Sequence, residues 1–565
     1  MTDTRECRNI ATVLLHDYYH RAVFRGILSE RDWQRLESRL DYQIDKTLSI
    51  LDRFGVKATF FTLGWLAERE PEIVRRIARE GHEIASAGFR SETIRGMNRE
   101  DFRRLLEFSR TILEEASGQP VWGFRCPYKW LRKKEQWVLE VLQAAGYKYD
   151  ASFRPPLWSL SPQPAFRIHR ALDLPGGEIH EFPVSTARLL GLNIPVSGGN
   201  YLRQFPAAFS VSAYKKWLEK VKEPFVLYFH PWELDEEIPK IHTGSFLRQI
   251  RQYRNLGKLR WLLPKYFESS QFCSIRDYLG LKEAAPTNES GESPPQSFFG
   301  SLSLTSSGLS EIGPGRPLSV VVPCYNEGKT LIYLKNALEE LRERAGKKYQ
   351  LEFIFVDDCS SDDTVEVLER LFKNDPAVKI VRHDRNQGVA GAIQTGIRQA
   401  GSDWVASIDA DCTYDPLVLL DMLKLADDGT DLVIASPYHR NGEVLNVPGW
   451  RLFLSRNLSR AYHLVFKNKL ATYTACCRVY RKERVADIQL THGGFIGLVE
   501  LLARLDLAGG KIREYPAVLH SRLLGHSKMK IINTILGHLK LLWEIFRWKV
   551  GRLPADHEKL NLQGR

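Results

Sequence analysis

Short apolar runs alternate with helical patterns through the second half of the chain. Runs typical of buried strands occur at Leu318–Val322, Leu351–Val356, Val378–Val381, Trp404–Ile408 and Leu432–Ala435. Helical patterns fill the gaps between them, for example at Lys329–Arg344, Thr364–Lys373 and Val389–Gln399. Strands that alternate with helices favour a parallel sheet that is covered by helices on both faces.

The first half of the chain is also predicted to be α/β. Val56–Leu63 and Phe225–Phe229 have the composition of strands, and Glu72–Glu80 has a helical pattern that ends at Gly81. Between the two halves, residues 281–316 are rich in Ser, Pro and Gly and carry little periodic apolar pattern. We predict that this segment is a flexible linker.

Composition and charge narrow the classes of protein. The 565 residues, 43% of them hydrophobic, suffice for two or three domains with sizeable cores. The sequence has neither the long apolar run of a membrane span nor the apolar segment of a secretory signal. The eight Cys form no C-x-x-C pair, which favours a reduced, cytoplasmic setting.

The net charge of +12 suits phosphate-bearing substrates or an anionic membrane surface. It also suits nucleic acid, but no basic and aromatic module for that partner is evident, so none is predicted.

The candidate chemistry lies at Asp409 and Asp411, which directly follow one of the strand-like runs. In open α/β sheets, ligands bind at the carboxyl ends of the strands. Hard cations such as Mg²⁺ and Mn²⁺ are commonly held by one or two carboxylates together with substrate phosphates. The pair is therefore a candidate metal site shared with a diphosphate, although an isolated D-x-D more often only ends a strand.

Three further clusters follow other strands. The loop in VVPCYNE can bring Tyr325 and Glu327 against a base and a ribose. Asp357 and Asp358 end the next strand, where a carboxylate can accept from a base N–H or a ribose hydroxyl. Gly388 opens a predicted helix, whose N-terminus favours an anion and whose small residues allow close backbone approach.

In this order, the four clusters resemble the inverting family-2 glycosyltransferases with the GT-A fold, most closely the dolichyl- and polyprenyl-phosphate sugar transferases. The resemblance implies that the stretch Pro323–Glu327 and the pair Asp357–Asp358 hold the nucleoside. It implies that Asp409 and Asp411 hold Mg²⁺ or Mn²⁺ and the diphosphate of a nucleotide-diphosphate sugar. The later stretch SRLLGHSK resembles the R-x-x-G-x-S-K element of these enzymes, which implies phosphate ligands at Arg522, Ser527 and Lys528. The alternative for that stretch is an exposed basic loop.

The acceptor side departs from the family pattern. These relatives usually carry S-R-Y where this chain has Ser436-Pro437-Tyr438, so an expected arginine is absent. The candidates to replace it are Arg440, Arg451 and Arg456. Glu500 occupies a place where related enzymes often carry a carboxylate near the acceptor. Its alternative is a structural i,i+4 pair with Arg504.

A helix with a broad apolar face is predicted for residues 528–552. Basic and Trp side chains flank or interrupt that face, as in helices that lie in a membrane interface. The alternative is a helix packed on its own domain or on a partner.

The first half resembles the NodB-like polysaccharide deacetylases, through the stretches Ala58–Ser86, Gly123–Pro127, Gly146–Ser152 and Tyr228–Glu233. The resemblance implies a distorted (β/α) barrel. Active members hold a divalent metal with an Asp and two His, and use another Asp as the base.

Here the residues at those positions differ. Leu14 stands in place of the base and His16 in place of the acidic ligand, beside Asp17. Ala87 and Ser91 stand in place of the two His, whereas Arg125 and His230 of later motifs are present. We predict an inactive domain, because metal-assisted hydrolysis loses its Lewis acid. The alternative is a rewired site that uses His16, Asp17 and His20.

The leading hypothesis is a metal-dependent inverting glycosyltransferase, acting on a polyprenyl phosphate or a glycan, fused to an inactive deacetylase domain. We expect it in the cytoplasm, peripheral at the inner face of the plasma membrane. The predicted domains are 10–280 and 317–527, with the linker between them and a Rossmann-like GT-A fold in the second. The alternatives are a bifunctional deacetylase and glycosyltransferase, and a non-catalytic glycan-binding assembly factor.

Overall fold

The fold was analysed in a computed structural model. It describes residues 9–90, 94, 96–127, 131–159, 166–189, 191–282, 315–525 and 531–551. The chain divides into two compact units. The first unit comprises Met1–Ser29, Ser38–Ile238 and Thr243–Ser303, and the second comprises Glu30–Glu37, Pro239–His242 and Leu304–Arg565. Most of the predicted linker, residues 283–314, lies outside the described residues.

The first half of the chain forms eleven described strands. They are β1 (Asn9–Leu15), β2 (Thr59–Thr62), β3 (Glu83–Ser86), β4 (Gly123–Phe124), β5 (Tyr149–Asp150), β6 (Arg170–Leu174), β7 (Gly177–Glu181), β8 (Thr186–Leu189), β9 (Leu192–Pro195), β10 (Val226–Phe229) and β11 (Phe272–Cys273). One sheet has the order β10-β1-β2-β3-β4-β5-β7-β6, with β11 also paired to β1. Its neighbours are parallel except for β6 and β7. The order runs as an open path, so these strands form a partial barrel.

Helices surround this sheet, and one helix from this half belongs to the second unit. The helices are α1 (Glu30–Arg35), α2 (Leu40–Arg53), α3 (Gly64–Arg69), α4 (Pro71–Arg79), α5 (Arg99–Ser117), α6 (Trp137–Ala144), α7 (Gly199–Gln204), α8 (Ala207–Lys220), α9 (Phe246–Tyr253), α10 (Lys258–Ser269) and α11 (Ile275–Leu279). Helix α1 is the one in the second unit. The predicted strands near β2 and β10 and the predicted helix at α4 are confirmed. Pro71 begins α4, where its missing N–H costs nothing, and Gly81 follows the end with a φ of 83°.

The second unit is built on a seven-stranded sheet with the order β14-β13-β12-β15-β18-β16-β19. Its strands are β12 (Arg316–Cys324), β13 (Tyr349–Asp357), β14 (Val378–Arg382), β15 (Trp404–Ser407), β16 (Leu432–Ser436), β18 (Arg478–Arg481) and β19 (Ile512–Pro516). A separate pair is formed by β17 (Glu443–Leu445) and β20 (Val518–His520). The helices are α12 (Leu331–Ala345), α13 (Thr364–Phe372), α14 (Gly388–Gln399), α15 (Val418–Met422), α16 (Gly449–Val465), α17 (Lys482–Val485), α18 (Gly494–Leu507) and α19 (Ile531–Lys549).

All five strands predicted in this half are present, and the Rossmann-like α/β fold is confirmed. The expectation of a purely parallel sheet is wrong at β18, which is antiparallel to both β15 and β16. This strand could not be predicted from the sequence, because the strand begins with Arg478 and ends with Arg481 and so lacks an apolar run. Arg478 is fully buried and donates to the carbonyl oxygens of Ala475, Leu498 and Tyr473 at 2.7 to 2.9 Å.

Helix α19 packs on its own domain, which was one of the two alternatives considered for the C-terminal helix. Leu541 and Ile545 are buried in the core of the second unit. Leu539, Trp543 and Phe546 are exposed, at 57%, 61% and 49%. The helix therefore packs on its own domain and also presents apolar side chains to solvent. No helix within the described residues is long and apolar enough to cross a membrane.

The cysteines depart from the expectation in one place. Cys273 is disulfide-bonded. Six other cysteines, between Cys126 and Cys477, are not in disulfides. The expectation of fully reduced cysteines is therefore wrong at Cys273.

Candidate functional site

One cavity of about 760 Å³ collects most of the residues singled out in the second half of the sequence. It lies where β12, β13 and β15 end at the same edge of the sheet. The predicted site residues that line it are Pro323, Tyr325, Glu327, Asp358, Gly388, Asp409, Asp411 and Arg522. Asp357 and Glu500 are not among its lining residues, and Ser527 and Lys528 lie outside the described residues.

Asp409 and Asp411 follow β15 and face this cavity together. Burial and the neighbouring Asp411 carboxylate raise the pKa of Asp409 to about 7. The Asp411 carboxylate accepts a hydrogen bond from the backbone N–H of Thr413 at 3.0 Å, which fixes its orientation. Two carboxylates this close repel each other, so a bound cation would stabilise both charged forms.

Arg522 supplies positive charge beside the pair. Its guanidinium forms an ion pair with Glu327 and lies 3.6 Å from Oδ2 of Asp411. The backbone N–H of Glu327 donates to Oγ1 of Thr364 at 2.8 Å, which fixes the loop after β12. Arg522 thus lies among three of the carboxylates that line the cavity, Glu327, Asp409 and Asp411, an arrangement suited to a cation and an anion bound side by side.

The adjacent carboxylates Asp357 and Asp358 differ in their hydrogen-bond partners. Asp358 accepts from the backbone N–H groups of Gln387 and Gly388 at 2.8 and 2.7 Å, and pairs with His383 at 2.8 Å. The backbone N–H groups at the N-terminus of α14 thus bind the protein's own Asp358, and an anionic ligand there stays a prediction. Asp357 Oδ1 is buried and has no hydrogen-bond partner among the described residues. A buried carboxylate oxygen in that state is costly unless a ligand donates to it.

Gly388 is required by the protein backbone. Its φ is 77°, in the left-handed region. A Cβ there would lie 2.5 Å from the backbone nitrogen of Gly494. The backbone of α14 at Gly388 therefore lies close to the loop before α18. Gly493 and Gly494 of that loop line the cavity.

Backbone strain is concentrated at this cavity. Six non-glycine described residues have positive φ, and four of them lie in loops that form the cavity: Asn326, Cys359, Cys412 and Asn446. Three of these follow β12, β13 and β15. Such conformations cost about 1–3 kcal/mol each and are retained mainly at functional sites.

In the first unit, Leu14 and Ala87 stand at two positions of the expected deacetylase site without a group that could act as a base or bind a metal. Leu14 lies in a small apolar cluster with Val184 and Tyr228. Ala87 is buried, and Ser91 lies outside the described residues. Within the described ranges, no group of three or more His, Cys, Asp or Glu side chains is arranged to hold a metal ion.

The polar residues that remain there are engaged with the protein. The rings of His16 and His230 pack edge to face with centroids 4.8 Å apart. Burial lowers the pKa of both, and for His16 the nearby His230 adds to the effect. His230 Nδ1 lies 3.1 Å from Oε2 of Glu233, and the Arg125 guanidinium covers the Tyr228 ring at 4.6 Å.

Asp17 and His20 brace the turn after β1. Asp17 accepts from the backbone N–H of Tyr18 and from Oγ of Ser38, both at 2.8 Å, and burial raises its pKa to about 7. Nδ1 of His20 accepts from the backbone N–H of Asp17 at 3.2 Å. The contacts thus favour a structural role over the rewired metal site of His16, Asp17 and His20.

Comparison with known proteins identifies both halves. Residues 319–488 match the model of the family described as Glycosyl transferase family 2. The second unit carries a family 2 glycosyltransferase domain. Residues 42–149 match the Polysaccharide deacetylase family, and residues 158–280 match a domain of unknown function, DUF3473. The chain therefore joins a polysaccharide deacetylase domain to a glycosyltransferase domain.

Two curated relatives resemble the glycosyltransferase half. A dolichol-phosphate mannosyltransferase of Pyrococcus furiosus is 29% identical over 41% of this chain and 64% of its own length. An undecaprenyl-phosphate mannosyltransferase of Micrococcus luteus is 28% identical over 41% of this chain and 98% of its own. Among solved structures, glucosyl-3-phosphoglycerate synthase of Mycobacterium tuberculosis, with Mn²⁺ and UDP-glucose, is 17% identical over 43% of this chain and 81% of its own. The TM-score of this match is 0.32.

On the acceptor side of the glycosyltransferase domain, Arg451 lines the cavity, whereas Arg440 and Arg456 are not among the lining residues. Arg456 instead lies over the ring of Tyr438, 5.7 Å from its centroid. The replacement of the missing S-R-Y arginine by Arg451 stays a prediction. Pro437 and Tyr438 of the altered loop and Arg451 and Ser455 of α16 all line the cavity.

Glu500 is buried and is not among the residues that line the cavity. Its carboxylate is fully buried and accepts from the backbone N–H groups of Thr491 and His492 at 2.8 to 3.1 Å. It also pairs with Arg504 at 2.8 Å. Burial alone would raise the pKa of Glu500, but these hydrogen bonds hold it below its usual value. The geometry favours the structural alternative, in which Glu500 holds the loop that carries Gly493 and Gly494.

Sequence reasoning missed Asp415 and its partner. Arg35 binds Asp415 through two hydrogen bonds of 3.2 and 3.1 Å. The two residues are far apart in the chain, and neither belongs to a pattern that could have paired them. Asp415 is the last carboxylate of the stretch DADCTYD, only four positions after Asp411.

Proposed function

We propose that the glycosyltransferase domain moves a sugar from a nucleotide-diphosphate donor to a polyprenyl phosphate, with inversion at the anomeric carbon. The observation that carries the proposal is the pair Asp409 and Asp411 beside Arg522 in one strained cavity at the carboxyl edge of the sheet. That arrangement suits a divalent cation and a diphosphate together. The names of the two curated relatives support the lipid phosphate acceptor.

The residues present fit Mg²⁺ or Mn²⁺. Asp409 and Asp411 offer hard oxygen ligands, and the raised pKa of Asp409 reflects burial first and then repulsion by Asp411, which a cation would relieve. Since they are only two protein ligands, the remaining positions fall to phosphate oxygens and water, as is usual for Mg²⁺. When bound, the cation would neutralise charge on the departing nucleotide diphosphate.

The chain's own residues then bind and orient the two substrates. Arg522 is placed to pair with a diphosphate oxygen, a task for which its planar guanidinium is well suited. The buried Oδ1 of Asp357 is an acceptor for a base N–H, and Tyr325 and Glu327 lie on the same side of the cavity. A lipid phosphate is already anionic at neutral pH, so attack on the sugar needs no strong general base.

For the acceptor we assign Arg451 to the lipid phosphate, in place of the arginine missing from S-P-Y. The exposed Leu539, Trp543 and Phe546 of α19 would lie in the interface of an anionic membrane, beside Lys540 and Arg547. We therefore propose that the protein is peripheral at the inner face of the plasma membrane, where a cytoplasmic donor and a membrane lipid would meet.

We further propose that the polysaccharide deacetylase domain performs no hydrolysis. Leu14 and Ala87 cannot act as a base or a metal ligand, and the surviving polar groups His16, Arg125 and His230 are engaged with each other and with Glu233 and Tyr228. The domain then recognises a glycan, holds a partner or supports the transferase.

A panel of labelled nucleotide sugars tests the proposal. Each UDP- and GDP-sugar is incubated with the full chain, Mn²⁺ or Mg²⁺ and a membrane extract. We expect one donor to give an organic-soluble, acid-labile product, as a sugar on a polyprenyl phosphate would be. Label found only in water-soluble glycan would refute the lipid acceptor, and no transfer from any donor would refute the activity.

A further inference from the structure

Two short segments from the first half of the sequence are parts of the second unit. They are Glu30–Glu37, which contains α1, and Pro239–His242. The chain before and after each segment belongs to the first unit. Neither segment falls within residues 319–488, which match the glycosyltransferase family, so they are additions to that domain.

The first segment places a buried arginine on an acidic pair. Arg35 donates from Nη1 and Nη2 to the two carboxylate oxygens of Asp415, at 3.2 and 3.1 Å. The same guanidinium donates to Oε2 of Glu340 from Nε at 3.1 Å and from Nη2 at 2.7 Å. Its side chain is only 4% exposed. Charge-assisted, two-pronged contacts of this kind are strong and fix geometry as well as charge.

Asp415 ends the loop that begins with the metal pair. Its Oδ1 accepts from the backbone N–H of Leu417 at 3.0 Å, and its backbone carbonyl accepts from Val418 at 3.0 Å. Burial would raise the pKa of Asp415, but the Arg35 guanidinium holds it below its usual value. Arg35 therefore fixes the far end of a loop whose near end carries Asp411.

Two further hydrogen bonds hold α1 against α12. Oη of Tyr333 donates to Oδ1 of Asp32 at 2.6 Å. Nδ2 of Asn336 donates to the backbone carbonyl of Arg35 at 2.9 Å. Since α12 follows the loop that carries Glu327, α1 contacts elements next to two of the loops that line the cavity.

The second segment braces the loop of Arg522. The backbone N–H of His242 donates to the carbonyl of Leu523 at 3.1 Å, and its Nε2 lies 2.7 Å from the carbonyl oxygen of Gly525. Ile241 forms a bridge with Leu524. Arg522 itself donates from Nε to the carbonyl of Leu524 at 2.8 Å, so this pairing lies directly behind the diphosphate-binding guanidinium.

We propose that these two segments position the donor site of the glycosyltransferase domain, with Arg35 and His242 as its positioning residues. Arg35 sets the loop of Asp409 and Asp411, and His242 sets the loop of Arg522. The first half of the chain thus contributes to sugar transfer through these segments. The inference rests on the proposed function, because it assigns these loops to donor binding.

Calorimetric titration of the full chain with UDP and with GDP, each with Mn²⁺, tests the inference without turnover. We expect Arg35→Ala to raise the Kd of the preferred nucleotide by about tenfold, equivalent to about 1.4 kcal/mol. His242→Ala should raise it in the same direction. Arg35→Lys should fall between, because an ammonium keeps the charge without the two-pronged geometry.

Two arginines provide matched controls. Arg31 contacts the same Asp415 and Glu340, but its side chain is 45% exposed, so Arg31→Ala should change the Kd by less than about twofold. Arg39 pairs with Asp235 at 2.7 Å within the first unit. Arg39→Ala should lower the melting temperature and leave the Kd unchanged, which separates a loss of stability from a loss of positioning.

The outcomes separate the two proposals. A wild-type chain that binds neither nucleotide with Mn²⁺ overturns the proposed function. A wild-type chain that binds, with Arg35→Ala and His242→Ala both within twofold of its Kd, overturns the positioning role. Where Arg35→Ala fails to fold, Tyr333→Phe removes only the hydrogen bond to Asp32. An unchanged Kd in that variant likewise counts against the inference.

Discussion

We expect Asp409 to set the pH range in which the proposed cation binds at the cavity. Burial and the Asp411 carboxylate raise its pKa to about 7, so its neutral form predominates below that pH. A divalent cation needs the charged form, and it competes with the proton for the same oxygen. The affinity for metal therefore rises with pH through about 7 and levels off above it.

We expect the affinity of the chain for Mn²⁺ to increase by about tenfold between pH 6 and pH 8. Titration with Mn²⁺ alone, followed by electron paramagnetic resonance of the free ion, measures this without interference from nucleotide phosphates. Asp409→Asn is the control, because an amide does not titrate and its residual affinity should be flat over this range. An equally flat profile for the wild-type chain would contradict the raised pKa of Asp409.

At single positions, the sequence indicated which residues gather but not what each contacts. Asp409, Asp411, Glu327 and Arg522 could be predicted near one another, because each follows a strand or matches a family motif. The division of labour between Asp357 and Asp358 could not, because both end the same strand. Only the fold shows that the Asp358 carboxylate accepts hydrogen bonds from the N-terminus of α14.

At the scale of elements, α14 and the loop before α18 depend on each other. Gly388 begins α14 with a positive φ, and any Cβ there would meet the backbone of Gly494 at 2.5 Å. The two loops consequently share one wall of the cavity.

Gly388→Ala should destabilise the second unit by roughly 1–3 kcal/mol, because the side chain is strained in that conformation and the contact cannot relax. Chemical unfolding measures the change. Gly401→Ala is a suitable control, since Gly401 lies outside the positive φ region and its nearest neighbour would be 3.4 Å away. Equal stability of the two variants would show that the contact between α14 and the α18 loop is not tight.

Helix α19 presents the apolar side chains that we assign to a membrane surface. The double variant Trp543→Ala, Phe546→Ala should lose about tenfold or more in binding to anionic lipid vesicles, measured by sedimentation. Each exposed aromatic contributes roughly 1–3 kcal/mol when buried in lipid. Phe246 and Leu247 on α9 are equally apolar and 77% exposed. Their replacement by Ala should leave binding unchanged, and a similar loss in both pairs would argue for non-specific adhesion.

Among the elements, strands with apolar runs were predictable and β18 was not. Its terminal arginines look like those of a surface segment, yet Arg478 is buried with three carbonyl partners. The role of helix α1 could not be predicted from the sequence either, since the partners of Arg35 lie more than 300 positions away in the chain. Such pairings arise only when the chain has folded.

At the scale of the whole molecule, one chain joins a polysaccharide deacetylase domain to a family 2 glycosyltransferase domain. The first unit has a partial barrel and a buried core, although Leu14 and Ala87 stand where a base and a metal ligand were expected. The segments Glu30–Glu37 and Pro239–His242 then give that half a part in the second unit.

The full chain should release no acetate from chitin oligosaccharides, with or without Zn²⁺, Co²⁺ or Mn²⁺. The physical reason is that no described cluster in the first unit can hold a metal. Acetate quantified enzymatically is the measurement. Metal-dependent release that disappears in His16→Ala would instead support the bifunctional alternative.

The most direct measurement of the central claim is sugar transfer by the purified chain to undecaprenyl phosphate in detergent, with Mn²⁺ and the donor chosen by the nucleotide-sugar panel. We predict an organic-soluble product of inverted anomeric configuration, reduced at least about a hundredfold in Asp411→Asn and by chelation of the metal. Asp421→Asn, which alters an exposed carboxylate paired with Lys424, should retain full transfer. Transfer that persists in Asp411→Asn, or that never reaches the lipid, would contradict the account.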